Sequence, residues 1–220
     1  RYGSHGDYYP IAFAPGTVAE AYQYTIECFN AAEESLTPVV LLTDGYIGHL
    51  YEAFDPEAVQ IELKKRQRDS FGSGRRHFTG LLAKNGKPTT KNSDYYREWY
   101  QAYKQEVHAV AQKYAFYEDT PSEQAETLII SYGILSRVVE EIGDQFAYFR
   151  PIRIWPVLED EIRERAEKYK NIVVIEMNDG QYAREVERIV KRNVVSIPVI
   201  GGDLRQSTII ADLKAKGLLT

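Results

Sequence analysis

The sequence predicts an α/β protein in which a parallel strand–helix–strand unit precedes a doubly wound, open-sheet domain. Two patterns lead to this class. Within residues 11–42, a short apolar run, an amphipathic helical stretch and a second apolar run follow one another. After residue 126, short apolar runs alternate with helical patterns, which is typical of a parallel sheet covered by helices.

The first unit begins with a predicted strand at residues 11–14. Thr17 and Glu20 have capping-box spacing, so each side chain is placed to satisfy a free amide at the start of a helix. The residues that then recur at helical spacing and define one helix face are Val18, Tyr22, Thr25, Phe29, Ala32 and Leu36. The apolar run at residues 39–42 predicts a buried strand of parallel type.

Residues 53–91 have no period and predict a long irregular connection. Its basic tract, residues 64–91, carries nine basic residues and one acidic residue, Asp69. Three interpretations stay open: a solvated loop, a docking surface for an acidic protein and, least favoured, a nucleic-acid site. A formal net charge of −5 argues against general nucleic-acid binding.

A long helix is predicted next, capped by Asn92 or Ser93. The large side chains that recur along it at helical spacing are Tyr96, Trp99, Tyr103, Val107, Val110, Tyr114 and Tyr117. This stripe favours packing on the body of the protein, and half-exposed tyrosines also suit a contact with another subunit.

A linker near residue 120 leads into the alternating region. The strands predicted there are 127–131, 146–149, 172–176 and 195–200. The helices predicted between and after them are 133–142, 159–169, 180–190 and 207–216.

Composition excludes several classes of protein. With 44% hydrophobic and 27% charged residues, the chain is neither disordered nor fibrous. Its apolar runs are too short to span a bilayer, so no membrane partner is expected. The single cysteine, Cys28, excludes a cysteine-held cluster within this chain, and its place in a helix favours an inert thiol. His49 and His77 have no second ligand at metal-binding spacing, so no metal site is expected, and His108 is interpreted as structural.

Two places in the sequence are candidates for ligand binding. Ligands of open α/β sheets collect beyond the carboxyl ends of the strands, here residues 14–17 and 43–46. Gly16 would let an anion approach the helix start, with a simple tight turn as the alternative. In the opening loop, the guanidinium of Arg1 suits a carboxylate and His5 suits proton transfer near neutral pH. A solvated terminal loop is the alternative there.

Eight stretches stand out together: RYGSHGDY at 1–8, IAFAPGTVAE at 11–20, FNAAE at 29–33, TPVVLLTD at 37–44, HFTGL at 77–81, NGKP at 85–88, FRPIRIWP at 149–156 and VVIEMNDGQ at 173–181. Each motif alone is weak. Their order and spacing over nearly the whole chain resemble the alpha subunit of 2-oxoacid:ferredoxin oxidoreductases.

The resemblance implies an enzyme that decarboxylates a 2-oxoacid on thiamine diphosphate, passes the acyl group to coenzyme A and sends two electrons through [4Fe-4S] clusters to ferredoxin. In that family the alpha subunit holds the pyrimidine end of thiamine. A beta subunit holds the diphosphate, its Mg²⁺ and a cluster. A cytoplasmic location is expected for such an enzyme.

The resemblance also implies a division of the chain. Residues 1–52 are expected to be the latter part of a thiamine pyrimidine-binding domain, residues 53–120 a long connection with the aromatic helix, and residues 121–220 a transketolase C-terminal-like α/β domain. The usual role of that last module is packing and subunit contact. Accordingly, Asn178 and Gln181 are interpreted as a turn and a helix start rather than as catalytic groups.

Site residues carry over from the family only in part. Arg1 matches the family arginine, which implies that it holds the substrate carboxylate, and His5 is carried over as a second substrate-binding residue. The glutamate that activates the aminopyrimidine lies upstream in the family, so we expect it outside this sequence, and no catalytic or cofactor-binding residue is assigned. The alternatives are a non-catalytic scaffold of the same fold and a docking subunit whose basic loop binds ferredoxin.

Overall fold

The structure is a computed structural model that describes residues 8–66, 83–84, 87–89 and 91–219. Its strands are β1 (Ile11–Phe13), β2 (Val39–Leu41), β3 (Ala83–Lys84), β4 (Lys87–Pro88), β5 (Tyr117–Thr120), β6 (Thr127–Ile130), β7 (Ala147–Pro151), β8 (Arg153–Trp155), β9 (Asn171–Glu176) and β10 (Val195–Pro198). Its α-helices are α1 (Val18–Ser35), α2 (Gly45–His49), α3 (Ser93–Lys113), α4 (Ile134–Glu140), α5 (Glu159–Ala166), α6 (Gln181–Val190) and α7 (Gln206–Ala215).

A three-stranded sheet in the order β2-β1-β8 carries the first unit. β1 and β2 pair in parallel, with Ile11 opposite Val39, which confirms the predicted strand–helix–strand unit. On its other side β1 pairs with β8, which runs antiparallel and places Arg153 opposite Phe13. The first sheet is therefore completed by a strand from the later part of the chain, a pairing that local sequence patterns do not predict.

A five-stranded sheet in the order β10-β9-β6-β7-β5 carries the alternating region. Its four alternating strands are parallel, and β5 adds an antiparallel edge. Leu128 and Ile130 of β6 face a core shared with α5 and α6, whereas Ile129 faces a second core with α4 and α7. Because helices cover both faces of a mostly parallel sheet, the predicted doubly wound α/β class is confirmed.

The start of α1 follows the predicted capping pattern. The Thr17 side chain accepts a hydrogen bond from the Glu20 amide at 3.0 Å. In return, Glu20 accepts a hydrogen bond from the Gly16 amide at 2.7 Å. The helix ends at Ser35, and Leu36 leaves it in the left-handed region with a φ of 54°.

The buried face of α1 is not the face that the apolar spacing defined. Phe29 and Leu36 are 67% and 59% exposed, whereas Tyr24 and Ala31 are buried in a core with α3. Helical spacing identifies residues that share a face, but only the contacts with α3 and β1 decide which face is covered. Likewise, β2 is parallel as predicted but not buried, since Val40 within it is 39% exposed and Leu42, just beyond its end, is 50% exposed.

The long helix α3 is capped by Asn92, which accepts a hydrogen bond from the Tyr95 amide at 3.0 Å. Its C-terminal half packs on the body through Val107 and Val110, as predicted. Its N-terminal half leaves Trp99 partly exposed. Tyr117, assigned to the same stripe, instead belongs to β5.

Three further expectations concern the basic tract, membrane-spanning helices and the domain boundaries. Most of the basic tract lies outside the described residues. None of the helices in the part of the chain that the structure describes is long and apolar enough to cross a bilayer. The domain boundaries near residues 52 and 120 stay predictions.

Candidate functional site

The carboxyl ends of β1 and β2 face those of β6 and β9 across a space that we call the junction cleft. It has a volume of about 280 Å³. Its lining residues are Ala14, Leu42, Thr43, Asp44, Tyr132, Gly133, Met177, Asn178 and Gln181. Both predicted strand ends, residues 14–17 and 43–46, contribute to this cleft.

The junction cleft lies where an open sheet usually binds its ligand. From β6 the chain proceeds to β7 on one side, whereas β9 lies on the other side and leads outward to β10. The helices that follow β6 and β9 therefore depart to opposite faces and leave a crevice between the two strand ends. Tyr132 and Gly133 follow β6, and Met177 and Asn178 follow β9.

Asp44 fixes the first wall of the cleft. One carboxylate oxygen accepts the Ile47 amide at 2.8 Å and caps α2. The other accepts the Ile134 amide at 3.0 Å, at the start of α4, where Gly133 offers no side-chain cap. Because free amides at a helix start need acceptors, one carboxylate holds two helices from different parts of the chain.

The start of α1 is occupied by the chain's own carboxylates. Glu52 accepts the Val18 amide at 3.1 Å and the guanidinium of Arg137 at 2.7 Å, and these bonds lower the pKa of Glu52. The Gly16 amide is taken by Glu20. Of the two interpretations of Gly16, the tight turn therefore holds, because its amide is not available to an anionic ligand.

Gly16 is also a point of close packing between the two sheets. A Cβ atom there would lie 2.6 Å from Nη1 of Arg150 and 3.0 Å from the carbonyl oxygen of Gly133. Arg150 is buried and donates to Glu20 and Glu118, with Nη2 2.5 Å from Glu20 and Nε 2.8 Å from Glu118. Burial pulls the pKa of Glu20 upward, but the hydrogen bonds from Arg150 and Gly16 outweigh burial and leave that pKa lowered.

The second wall is built around Glu176, which is fully buried at the end of β9. Its carboxylate accepts the amides of Tyr182 and Ala183, each at 2.9 Å, and the hydroxyl of Tyr132 at 3.0 Å. Burial, and then the nearby Glu176 charge, raise the pKa of Tyr132, so this phenol stays protonated. Asn178 donates to the same hydroxyl at 2.9 Å.

Asn178 and Gln181 have the structural role predicted for them. The Asn178 side-chain oxygen accepts the Gln181 amide at 2.8 Å and so holds the start of α6. Sequence reasoning missed Tyr132 and Glu176, although a carboxylate that ends an apolar strand just before a helix is a recognisable signal. Tyr132 lines the cleft, and Glu176 fixes the position of Tyr132 by accepting its hydroxyl.

A wider, shallow cavity of about 580 Å³ adjoins the junction cleft through Met177. Tyr46 crosses it and donates its hydroxyl to the Gly202 carbonyl at 2.7 Å. His49 lies on this wall. Across the described ranges, no group of three His, Cys, Asp or Glu residues is arranged to hold a metal ion.

Of the remaining predicted residues, Cys28 and His108 do not line the cleft. Arg1 and His5 lie outside the described residues, so their substrate-binding role stays a prediction. Burial, and then the Glu27 charge, raise the pKa of the Cys28 thiol to about 12, as expected for an inert cysteine. His108 packs in α3 against Tyr9, and burial lowers its pKa.

The fold is therefore a two-sheet α/β chain with a cleft between opposing strand ends. Residues 4–126 match the family described as "pyruvate flavodoxin/ferredoxin oxidoreductase, thiamine diP-bdg". Residues 125–209 match the "pyruvate:ferredoxin oxidoreductase core domain II". Because the first match covers more than half of the chain, the chain belongs to the pyruvate flavodoxin/ferredoxin oxidoreductase family, which confirms the resemblance seen in the sequence.

Curated relatives match most of the chain. It is 31% identical to the 2-oxoglutarate synthase subunit KorA of Methanothermobacter marburgensis, over 94% of this chain and 63% of the relative. The chain is 32% identical to KorA of Archaeoglobus fulgidus, over 91% of this chain and 59% of the relative. It is 29% identical to the ketoisovalerate oxidoreductase subunit VorB of M. marburgensis, over 92% of this chain and 58% of the relative. The chain thus spans about three fifths of the length of these relatives.

A solved structure has the same fold. The 2-oxoglutarate:ferredoxin oxidoreductase from Magnetococcus marinus superposes with a TM-score of 0.82 at 20% identity. The superposition covers 97% of this chain and 43% of that one. That protein was solved with 2-oxoglutarate, coenzyme A and succinyl-CoA bound.

Proposed function

We propose that this chain is part of the alpha subunit of a thiamine diphosphate-dependent 2-oxoacid:ferredoxin oxidoreductase. The reaction converts a 2-oxoacid and coenzyme A into an acyl-CoA and CO₂, and it passes two electrons to ferredoxin. The match of residues 4–126 to a thiamine diphosphate-binding family carries the proposal. The collinear relatives named 2-oxoglutarate synthase and ketoisovalerate oxidoreductase support it.

Among 2-oxoacids, 2-oxoglutarate is the first candidate, because the relatives at 31% and 32% identity carry that name. A ketoisovalerate oxidoreductase subunit follows at 29%. A difference of two or three per cent does not separate a dicarboxylic from a branched substrate. The proposal therefore covers the 2-oxoacid class, and the assay below compares its members.

The residues of the junction cleft fit the organic end of the cofactor. Ala14, Leu42 and Met177 give the cleft apolar walls, and Asn178 and Gln181 place amide groups beside them. An uncharged aminopyrimidine ring needs this combination of apolar faces and hydrogen-bonding edges. When bound, thiamine supplies the carbanion sink for decarboxylation.

The chain's own residues shape and orient this cleft. Asp44 holds the starts of α2 and α4 next to each other at the cleft, and Glu176 fixes the start of α6. Two lining residues, Tyr132 and Asn178, are hydrogen-bonded to each other, so the wall that they form is preorganised. Arg1 is proposed to hold the 2-oxoacid carboxylate through two parallel hydrogen bonds, with His5 as a second substrate contact.

The remaining parts of the reaction are assigned to partners. A [4Fe-4S] cluster needs four cysteine ligands, and this chain has one cysteine, Cys28, in the middle of α1. We therefore place the cluster, the diphosphate and its Mg²⁺ on a beta subunit, which delivers electrons to ferredoxin. The cytoplasm is the proposed location.

The test uses the complete alpha polypeptide that contains this chain, produced together with its beta subunit. Reduction of a viologen dye is followed with 2-oxoglutarate, pyruvate or 2-oxoisovalerate, each with and without coenzyme A. We expect coenzyme A-dependent reduction with at least one substrate. A folded complex that binds no thiamine diphosphate and reduces no dye would instead support the non-catalytic scaffold.

A further inference from the structure

Arg150 joins the second sheet to the start of α1. It lies on β7 and is only 5% exposed. Its Nη1 and Nη2 atoms donate to the two carboxylate oxygens of Glu20 at 2.9 and 2.5 Å, across 130 positions of the chain. A two-pronged, charge-assisted pair of this kind fixes both the distance and the orientation of its partners. Arg150 therefore holds the first turn of α1 against the second sheet.

Arg150 is itself anchored from its own sheet. Its Nε atom donates to Glu118 of the neighbouring strand β5 at 2.8 Å. The guanidinium thus has one partner in the second sheet and one in the first unit. Because the second-sheet partner keeps the guanidinium in place, Arg150 can orient Glu20 rather than simply follow it.

Glu20 extends this connection to the turn that follows β1. Its Oε2 atom accepts both the Arg150 guanidinium and the Gly16 amide, the latter at 2.7 Å. Ala14, two positions before Gly16, lines the junction cleft, whereas Arg150 does not. The position of this wall therefore depends on a buried arginine outside the cleft.

The opposite wall meets the turn at the same place. A Cβ atom at Gly16 would lie 2.6 Å from Nη1 of Arg150 and 3.0 Å from the carbonyl oxygen of Gly133, which also lines the cleft. That carbonyl is held by the Ser136 hydroxyl, which donates to it at 2.8 Å. Since close-packed groups transmit small displacements, a shift of Gly16 would change the gap between Ala14 and Gly133.

We propose that Arg150 is a positioning residue for the cofactor: it acts through Glu20 on the turn after β1 and so sets the gap that receives the aminopyrimidine. The inference rests on the proposed function. It gives the core domain II match, residues 125–209, a part in cofactor binding in addition to packing. Without Arg150, binding of the cofactor must also order the turn, and affinity falls.

The test is calorimetric titration of the cofactor-free complex of the complete alpha polypeptide and its beta subunit with thiamine diphosphate and Mg²⁺. Arg150→Gln should weaken binding at least about fivefold, the lower end of usual coupling between linked groups. Arg150→Lys keeps the charge without the fork geometry and should lose less. It also keeps the test decisive if Arg150→Gln does not fold, which circular dichroism establishes. Pyrophosphate with Mg²⁺ lacks the organic end and should bind equally to all variants.

The same two substitutions at Arg165 are the matched control. The Arg165 side chain is only 12% exposed and pairs with Asp119 at 2.7 Å, but it does not line the cleft. We expect Arg165→Gln and Arg165→Lys to leave the affinity for thiamine diphosphate unchanged. Adding Glu20→Gln to Arg150→Gln should cause little further loss, because the two residues act in one path.

Kinetics provide a second measurement. In the dye-reduction assay, the KM for thiamine diphosphate should rise by a larger factor in the Arg150 variants than kcat falls. Unchanged affinity in folded Arg150 variants, an equal loss of pyrophosphate binding, or an equal effect of the Arg165 variants would overturn the positioning role and leave the proposed function standing. A wild-type complex that binds no thiamine diphosphate would overturn both.

Discussion

Asp44 accepts the backbone amide of Ile134 at 3.0 Å, across 90 positions of the chain. The same carboxylate caps α2 through the Ile47 amide. A single side chain just after β2 therefore ties the starts of two helices together at the junction cleft.

Replacing Asp44 is expected to loosen this junction. Asp44→Ala removes both helix caps and should lower the free energy of unfolding by about 1–2 kcal/mol. Asp44→Asn keeps one acceptor oxygen and should lose less. Urea denaturation measures both variants, with Asp94→Ala as the control, because that carboxylate is exposed on α3 and pairs only with Arg97 in the described structure. Equal stability of Asp44→Ala and wild type would refute the role of Asp44.

Gly16 is expected to tolerate no side chain. A Cβ atom would lie 2.6 Å from Nη1 of Arg150, so Gly16→Ala should destabilise the protein by about 1–3 kcal/mol through overpacking. Gly45→Ala is the matched control, because a Cβ atom there meets nothing within 4 Å. Thermal unfolding compares the two. A melting temperature of Gly16→Ala equal to that of Gly45→Ala would contradict the close packing.

The buried ion pair between Glu20 and Arg150 predicts a pH dependence. The folded-state pKa of Glu20 lies below its ordinary value of 4.5, so its stabilisation is present above pH 4.5 and is lost as the pH falls through the lowered pKa. Glu20→Gln should be less stable by about 3 kcal/mol at pH 7, because one partner of a buried pair is removed. It should also lose less stability than wild type on acidification. Denaturation curves from pH 7 to pH 3 measure both effects, and parallel pH profiles would show that Glu20 does not contribute.

Arg1 is predicted to bind the carboxylate of the 2-oxoacid. In the complete enzyme, Arg1→Ala should raise the KM for the substrate about tenfold or more, since a charge-assisted, two-pronged hydrogen bond is lost. Arg1→Lys should restore part of the affinity, because it keeps the charge without the fork geometry. The dye-reduction assay gives KM and kcat, with the exposed Arg97→Ala as control. An unchanged KM in Arg1→Ala would remove this assignment.

Local patterns predicted most of the second sheet. The alternation that placed a strand at residues 172–176 and a helix at residues 180–190 corresponds to β9 and α6 within one residue. Buried parallel strands and amphipathic helices depend on neighbours a few positions away, so their sequence signals are strong. The predicted strand ends at residues 14–17 and 43–46 also lie at the candidate cleft, because carboxyl ends of parallel strands share one edge.

The candidate site was less accessible to sequence reasoning. Tyr132 and Glu176 are 44 positions apart and meet only because β6 and β9 pair. The position of Trp155 likewise depends on β8, whose pairing with β1 joins residues 153–155 to the first sheet. Contacts between residues so far apart in sequence produce no repeating pattern from which they could be predicted.

The sequence by itself determined the α/β class, the family, the parallel β1–β2 unit and the cap of α1, because each depends on local spacing or on an ordered set of motifs. Only the tertiary structure decided which face of α1 is buried, that β8 completes the first sheet, that Asp44 and Tyr132 line one cleft, and that Glu176 accepts the hydroxyl of Tyr132. The physical reason is that burial and side-chain pairing are set by whichever surfaces come together after the strands have paired. A residue's own neighbours in the chain do not record that choice.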